Sequence, residues 1–487
     1  MKHSLRIVSW LLTVCLLATA CLSGCGNQGQ GSSSAPSDSS AEGTGSNAEK
    51  EEVKLVYMTN QKPELINQLV ERYKEKAPHV TIEIIQLPAD NTSSTTEQNI
   101  AKFDAAVAQG QTIDICDLGA GGTGVLRPRA LNGMLLPLDE FIEQEGIDME
   151  EMYIPGSKTT CAFGEGEDQK WYTLPMSRTL YPVYYNKDMF EAAGIPEPDS
   201  DWTFDDLREI AKKLTSGSGV DKVFGSWIPV DWGWFAGLPA QMTGWEAYVI
   251  DENGQKIANF EDPNLRKSIE AYYNLSVVDQ SNPTATEINL NKLNMADYFA
   301  AGKTAMIVGN PYCFADLQKA KALGQMDFEL GIAPLPRISD DVPDDISATE
   351  IAGGMMIPKT SANPYEAFKF MLFCSLECAD IYRTLPASVK ADQESVIKYL
   401  ASYVDENGEL HENLFTPEEL EYLYTENREG FKSYFNMKED SYIGPLWGIL
   451  GTEVSNIMTN AKSIDQAIAD MMTEGQKEIE KIDASAG

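Results

Sequence analysis

Past residue 50 the apolar positions of this chain switch repeatedly between two periods. Val53 to Met58 (VKLVYM) is a short β-branched run, the pattern of a buried strand. Pro63 opens a stretch in which Leu65, Ile66, Leu69, Val70 and Tyr73 recur at helical spacing until Pro78 ends it. Val80 to Leu87 (VTIEIIQL) reads as the next strand. Ile100, Phe103 and Val107 mark a helix that stops at Gly110, and Thr112 to Leu118 (TIDICDL) returns as a strand. Strands separated by helical crossovers of this length predict a parallel sheet covered on both faces, hence an α/β fold. Further on, Trp202 to Leu214 predicts a helix with Thr203 as N-cap, Asp206 three residues later, and a stripe of Phe204, Leu207, Ile210, Ala211 and Leu214. Asn363-Pro364-Tyr365-Glu366 predicts another helix start with Asn as the cap, in a helix placed at Ser361 to Tyr382. Two DENG strings, Asp251 to Gly254 and Asp405 to Gly408, read as turns, because the other ligand positions of a calcium loop are missing.

The first fifty residues do not follow this pattern. Lys2 and Arg6 precede an apolar run from Ile7 to Ala20 that is too short to cross a bilayer as a helix, which makes residues 1–24 a secretion signal. Leu22-Ser23-Gly24-Cys25 resembles the lipobox of bacterial lipoproteins. That resemblance implies cleavage before Cys25 and attachment of diacylglycerol to its sulfur, and two acyl chains make a stable membrane anchor. The plainer reading is a secreted protein with a chance cysteine. Residues 25–50 are Gly, Ser, Asn and Gln with a few charges, too polar to bury a core, and read as a disordered tether. Enough chain remains beyond Lys50 for two domains of ordinary size.

Charge and cysteine content narrow the setting. The formal net charge is -36, so nucleic acid and other polyanions are poor partners, and a neutral or cationic ligand fits better. Beyond the signal and the anchor, Cys116, Cys161, Cys313, Cys374 and Cys378 remain, an odd number that cannot all pair within the chain. Cys374 and Cys378 share a predicted helical face, but no His or further Cys lies near them in sequence, so they read as small apolar residues and no metal is expected.

The string from Tyr172 to Thr215 is specific. Leu174, Pro175, Tyr184, Tyr185, Asn186, Lys187, Asp188, Phe190, Ala193, Gly194, Ile195, Pro196, Trp202, Leu207, Ala211 and Leu214 match, in order, the pattern of the extracellular solute-binding proteins of ABC transporters (family 1), in the carbohydrate-binding group that includes maltose-binding protein. Gly133 to Asp139 (GMLLPLD), Phe299 to Asn310 (FAAGKTAMIVGN), Gly331 to Pro336 (GIAPLP) and Gly353-Gly354 follow in family order, so the resemblance covers about residues 53 to 487. It implies a periplasmic-binding-protein-like fold, two α/β lobes with a hinge and a ligand cleft between them. The expected lobes are discontinuous: 53–176 with 351–410, and 177–350 with 411–487. The first crossing is expected near Leu174 to Tyr181, with returns near Ile351 and around residue 410.

Four tryptophans lie between Trp227 and Trp245, and Trp232-Gly233-Trp234-Phe235 follows no helical period. Aromatic faces suit the flat C–H faces of sugars, with polar groups round the rim for the hydroxyls; packing between a loop and the sheet is the other role open to these rings. The resemblance implies stacking by Trp232 or Trp234, by Tyr312 after Gly309-Asn310-Pro311, and by Trp447 in GPLWGIL. On that reading Trp232→Ala and Trp447→Ala each weaken sugar binding and leave the fold intact. Polar partners are expected from Asn60 and Gln61 after the first strand, Asp117 and the Gly119 to Gly124 loop after the third, Ser177 and Arg178 at the first crossing, and the backbone at Gly353. The Arg178 guanidinium suits vicinal hydroxyls, a ligand carboxylate, or an internal salt bridge.

The implied function is capture of a mono- or oligosaccharide outside the cell and its delivery to the permease subunits of an ABC importer, by a lipid-anchored protein on the outer face of the cytoplasmic membrane that itself catalyses nothing and needs no cofactor. The rival is a cell-surface carbohydrate-active hydrolase, since acidic pairs and aromatics also line glycosidase grooves. The chain has no G-x-S-x-G and no H-E-x-x-H, its histidines are only His3, His79 and His411, and GAGGTG lacks the lysine of a phosphate loop.

Overall fold

The computed structural model describes residues 51–89, 93–118, 123–164, 168–229, 233–343, 346–347, 349–425, 432–433 and 442–486. The signal, Cys25 and the tether lie outside them, and Glu51–Gly487 is one compact unit. The first sheet is built as its sequence pattern predicts. Strand β1 (Val53–Thr59) pairs in parallel with β2 (Val80–Gln86), Val53 opposite Val80 through Thr59 opposite Gln86, and with β3 (Ile115–Asp117) from Tyr57 opposite Ile115. An antiparallel strand, Met355–Met356, closes the far edge beside β3.

Because side chains alternate across a sheet, neighbouring residues serve opposite faces. Leu55, Tyr57 and Ile115 enter one core with Ile66, Leu69 and Tyr73 of α1 (Pro63–Lys76) and with Phe368, Phe370 and Phe373 of the helix Pro364–Glu377. Met58 and Cys116 enter another with Phe103, Ala106 and Val107 of α2 (Ser93–Ala108).

The third strand is shorter than its apolar run, and Asp114, just before it, ties a junction. Fully buried, its carboxylate accepts from Val56 N at 2.8 Å, the Ser361 hydroxyl at 2.8 Å, and Ala362 N and Asn363 N at 2.9 Å each. Asn363 precedes its helix as expected but makes no side-chain cap; its Nδ2 donates to Lys54 O at 3.1 Å instead. That helix ends at Glu377 and a separate turn, Ala379–Tyr382, follows. All five cysteines of the body are buried and unpaired by disulfides.

A larger core gathers round an antiparallel sheet in which Val183–Asn186 lies between Met306–Val308 and Leu330–Ala333. Gly331 faces the Tyr185 ring so closely that a Cβ there would sit 2.1 Å from its Cζ. The helix Phe204–Leu214 starts with a complete capping box between Thr203 and Asp206 and buries Phe204, Leu207, Ala211 and Leu214. The C-terminal helices Ile443–Met458 and Ile464–Ala486 contribute Leu446, Leu450, Met471 and Ile479.

Among the described residues three segments run between this core and the first. Leu174 is packed in the smaller core and Leu180 in the larger, so the strand between them, Pro175–Leu180, joins the two. Thr349–Gly353 and Leu385–Pro386 flank it, both antiparallel. Ile351 belongs to the smaller core, Leu385 to the larger and Ala387 to the smaller again. Both DENG strings are hairpin turns. In each, an aspartate oxygen accepts from two backbone amides, Asp251 from Asn253 and Gln255, Asp405 from Asn407 and Glu409.

Candidate ligand-binding site

In an open α/β sheet the ligand side is the rim beyond the carboxyl ends of the strands, and there Asn60, Gln61 and Asp117 come together. Asn60 N donates to Asp117 O at 3.2 Å, which carries the pairing one step past β1. Asn60 Nδ2 donates to Leu118 O at 3.0 Å, Gln61 Nε2 to Asp117 Oδ2 at 3.2 Å, and the Tyr57 hydroxyl reaches the same oxygen at 3.4 Å. Burial, and secondarily the Asp117 carboxylate, push the Tyr57 phenol well above its ordinary range, so it stays a neutral donor. Asn60 is 4% exposed and its Oδ1 is buried without a hydrogen-bond partner. Such an acceptor costs free energy until something donates to it. The following loop residues Gly119 to Gly122 lie outside the described residues.

Ser177 and Arg178 sit on the crossing strand, opposite Ala352 and Ile351 on one side and Pro386 and Leu385 on the other. Arg178 is buried, and its Nη2 donates to Leu423 O at 2.9 Å. Gly353 pairs with Pro175, and a Cβ there would lie 2.4 Å from Thr173 Cγ2, so packing as well as backbone access requires glycine.

The larger core carries a cavity of about 460 Å³, within the usual range for small-molecule sites. Tyr181, Trp227 and Phe235 wall one part of it, and Tyr312, at the start of the helix Pro311–Ala322, lies at its edge with 83% of its surface exposed. Phe235 packs edge-on to Tyr181 at 5.5 Å and Trp227 edge-on to Tyr298 at 5.7 Å, which fixes the wall. Among the described residues the polar lining is Asn294, Asn310 and Asp316, with no Lys, Arg or His. Both asparagine oxygens cap helices, Asn294 accepting from Asp297 N at 3.0 Å and Asn310 from Cys313 N at 3.1 Å, which leaves their Nδ2 donors for a ligand. Burial, then nearby Asp297, raises the Asp316 carboxyl above its usual range.

Trp447 is not part of this wall. It is 9% exposed, edge-on to Trp245 at 5.8 Å, and rests on Gly237, where a Cβ would come within 2.7 Å of its Cη2. Trp232 lies outside the described residues; Trp234 has its backbone in the 3-10 turn Gly233–Gly237, and its side chain is outside the description. Tyr181, Trp227, Phe235 and Asp316 line the cavity without having been singled out in the sequence. The available signals were the tryptophan density after residue 226 and the i, i+4 spacing of Tyr312 and Asp316.

Residues 59–376 match the profile of the bacterial extracellular solute-binding proteins. The chain belongs to that family. A binding protein of Brucella abortus (strain 2308) is 23% identical over 298 residues, 58% of this solute-binding protein and 65% of the relative, so the chain spans less than two thirds of that relative's length. The sn-glycerol-3-phosphate-binding periplasmic protein of the same strain is 26% identical over 179 residues, 36% of this chain and 39% of that one. Among solved structures, a sugar transporter from Rhizobium etli in an open conformation superposes with TM-score 0.69 at 21% identity, covering 87% of this chain and 99% of that one. An ABC substrate-binding protein from Listeria monocytogenes in complex with cycloalternan gives 0.62 at 19% identity, covering 88% and 99%. These likenesses establish the two-lobed α/β fold of periplasmic binding proteins. Among the described residues no helix is long and apolar enough to cross a membrane.

Proposed function

We propose that this solute-binding protein captures an uncharged carbohydrate outside the cell and hands it to the permease of an ABC importer, held at the membrane by a lipidated Cys25 and catalysing nothing itself. The cavity walled by Tyr181, Trp227 and Phe235 carries this reading, because its apolar faces and the Asn294 and Asn310 amides match the two kinds of surface a sugar presents. A phosphate ester, as in the name of one Brucella relative, would meet no counter-charge and one carboxylate, Asp316, among the described lining residues. The polar rim of Asn60, Gln61 and Asp117 supplies the second half of the site, with the bare Asn60 oxygen as acceptor for a ligand hydroxyl. The lobes we propose are 53–176 with about 351–389, and 177–350 with about 391–487, a reading supported by the packing of Val389 against the smaller core and of Val396, Tyr399 and Leu400 in the larger.

The test is a thermal-shift screen of the mature chain against maltotriose, mannotriose, D-mannitol, glucuronate and glycerol 3-phosphate, with product analysis after incubation. A ligand that binds only the native state raises Tm by mass action. A rise with a neutral sugar and no turnover supports the reading. A rise with glycerol 3-phosphate alone would replace it, and released products would establish the hydrolase.

A further inference from the structure

The cavity wall is held by a side chain that touches no part of the cavity. Trp227 is tied to the central sheet, its N–H donating to Met306 O at 2.7 Å and its carbonyl accepting from Val308 N at 3.1 Å. Ile228, between the two lining residues Trp227 and Pro229, has no strand beside it among the described residues. Its peptide groups are met by one carboxamide instead: Ile228 N donates to Asn282 Oδ1 at 2.6 Å, and Asn282 Nδ2 donates to Ile228 O at 3.2 Å. The side chain of Asn282 thus substitutes for a neighbouring strand.

The rest of its hydrogen-bonding capacity is also used. Nδ2 reaches Ser276 Oγ at 3.1 Å and Pro283 O at 3.0 Å, and Ser226 Oγ lies 3.4 Å from Oδ1. Asn282 and Ser281 are fully buried, and Ser276 is 1% exposed.

The chain takes an unusual path to deliver this group. The helix Pro263–Tyr273 widens into a π-turn, Asn274–Val278, and Gln280 then adopts a left-handed conformation with φ 53°. The reversal brings Ser281 N to Leu275 O at 2.9 Å, Asn282 N to the same oxygen at 3.2 Å, and Ser226 N to Ser281 O at 3.0 Å. π-Turns and left-handed non-glycine residues are disfavoured and gather where function requires them.

We infer that Asn282 is a positioning residue for ligand binding: by clamping both peptide groups of Ile228 it sets the Trp227–Pro229 wall of the cavity. The inference rests on the cavity being the sugar site.

The test compares Asn282→Ala with Leu207→Ala, a truncation in the same core on the helix Phe204–Leu214 at a position that is not among the residues lining the cavity. Titration calorimetry with maltotriose, mannotriose and D-mannitol on the mature full chain is paired with amide exchange at Ile228. Asn282→Ala should lower affinity at least tenfold and speed exchange at Ile228, while Leu207→Ala lowers Tm with affinity within twofold of wild type. Should Asn282→Ala fail to fold, Ser276→Ala removes one partner of the clamp and should lower affinity several-fold with faster Ile228 exchange. Affinity within twofold of wild type in the folded Asn282 variant, or in the Ser276 variant where that one is needed, overturns the inference. Wild-type protein that binds none of the three compounds refutes the carbohydrate reading instead.

Discussion

At 9% exposure and edge-on to Trp245, the Trp447 ring fills space in the larger core. Its truncation to Ala is expected to cost about 3–5 kcal/mol, as for other large aromatic deletions, measurable by urea unfolding. Tyr312 stands at the opposite extreme, 83% exposed. Tyr312→Ala should leave stability within about 0.5 kcal/mol and weaken sugar binding by about 1 kcal/mol if its ring stacks on the ligand; unchanged affinity would remove Tyr312 from the site. The two residues looked alike in sequence, each an aromatic in a glycine-marked segment, and only tertiary packing separates them. Acid dependence is also argued residue by residue. The bidentate contact of Arg208 holds the Asp279 carboxyl below the usual range. Its contribution is therefore present above about pH 4, the ordinary aspartate value, and lost as pH falls through the lowered folded one. Asp279→Asn should flatten stability over that interval in urea titrations.

Elements with a strong local signal formed where the sequence placed them. The first three strands, α1 and α2 follow their apolar periods, and Thr203 and Asp206 make a complete capping box, so Thr203→Ala should cost about 1 kcal/mol. Where a distant partner intervened, local rules lost. Asn363 makes no cap: its side-chain amide donates to Lys54 O, and Asp114, far away in sequence, accepts from its backbone amide along with those of Val56 and Ala362 and the Ser361 hydroxyl. Asp114→Ala leaves these part-buried donors without their acceptor and should cost about 3 kcal/mol in chemical denaturation, a large effect from a residue with no local sequence signal. Asn282 went unnoticed for the same reason, since Ile228 and Ser226 lie on a different element. The juxtaposition of Asn60, Gln61 and Asp117, the polar half of the proposed site, follows from their places directly after strands that the sequence marks. Of the aromatic wall only Tyr312 was named as a site residue from the sequence; Tyr181, Trp227 and Phe235 were not, because their convergence depends on the whole fold.

For the molecule as a whole, the family and the two-lobed fold were legible from the ordered motifs between Tyr172 and Pro336, confirmed by the profile match over residues 59–376. The anchor is tested in cells: Cys25→Ala should release the protein into the medium, and intact-mass analysis of the wild type should show a diacylglycerol adduct at the new N-terminus. Retention of the variant at the membrane would dismiss the lipobox reading.

The strand Pro175–Leu180 is hydrogen-bonded on both edges to the other passages between the cores. Flexing any one of the three would shear its neighbours, so they would act together as a single leaf spring. Such a spring bends readily across its face and resists splaying in its plane, which would restrict the two lobes to nearly one mechanical coordinate. The molecule would then report occupancy as a two-position signal rather than a graded one.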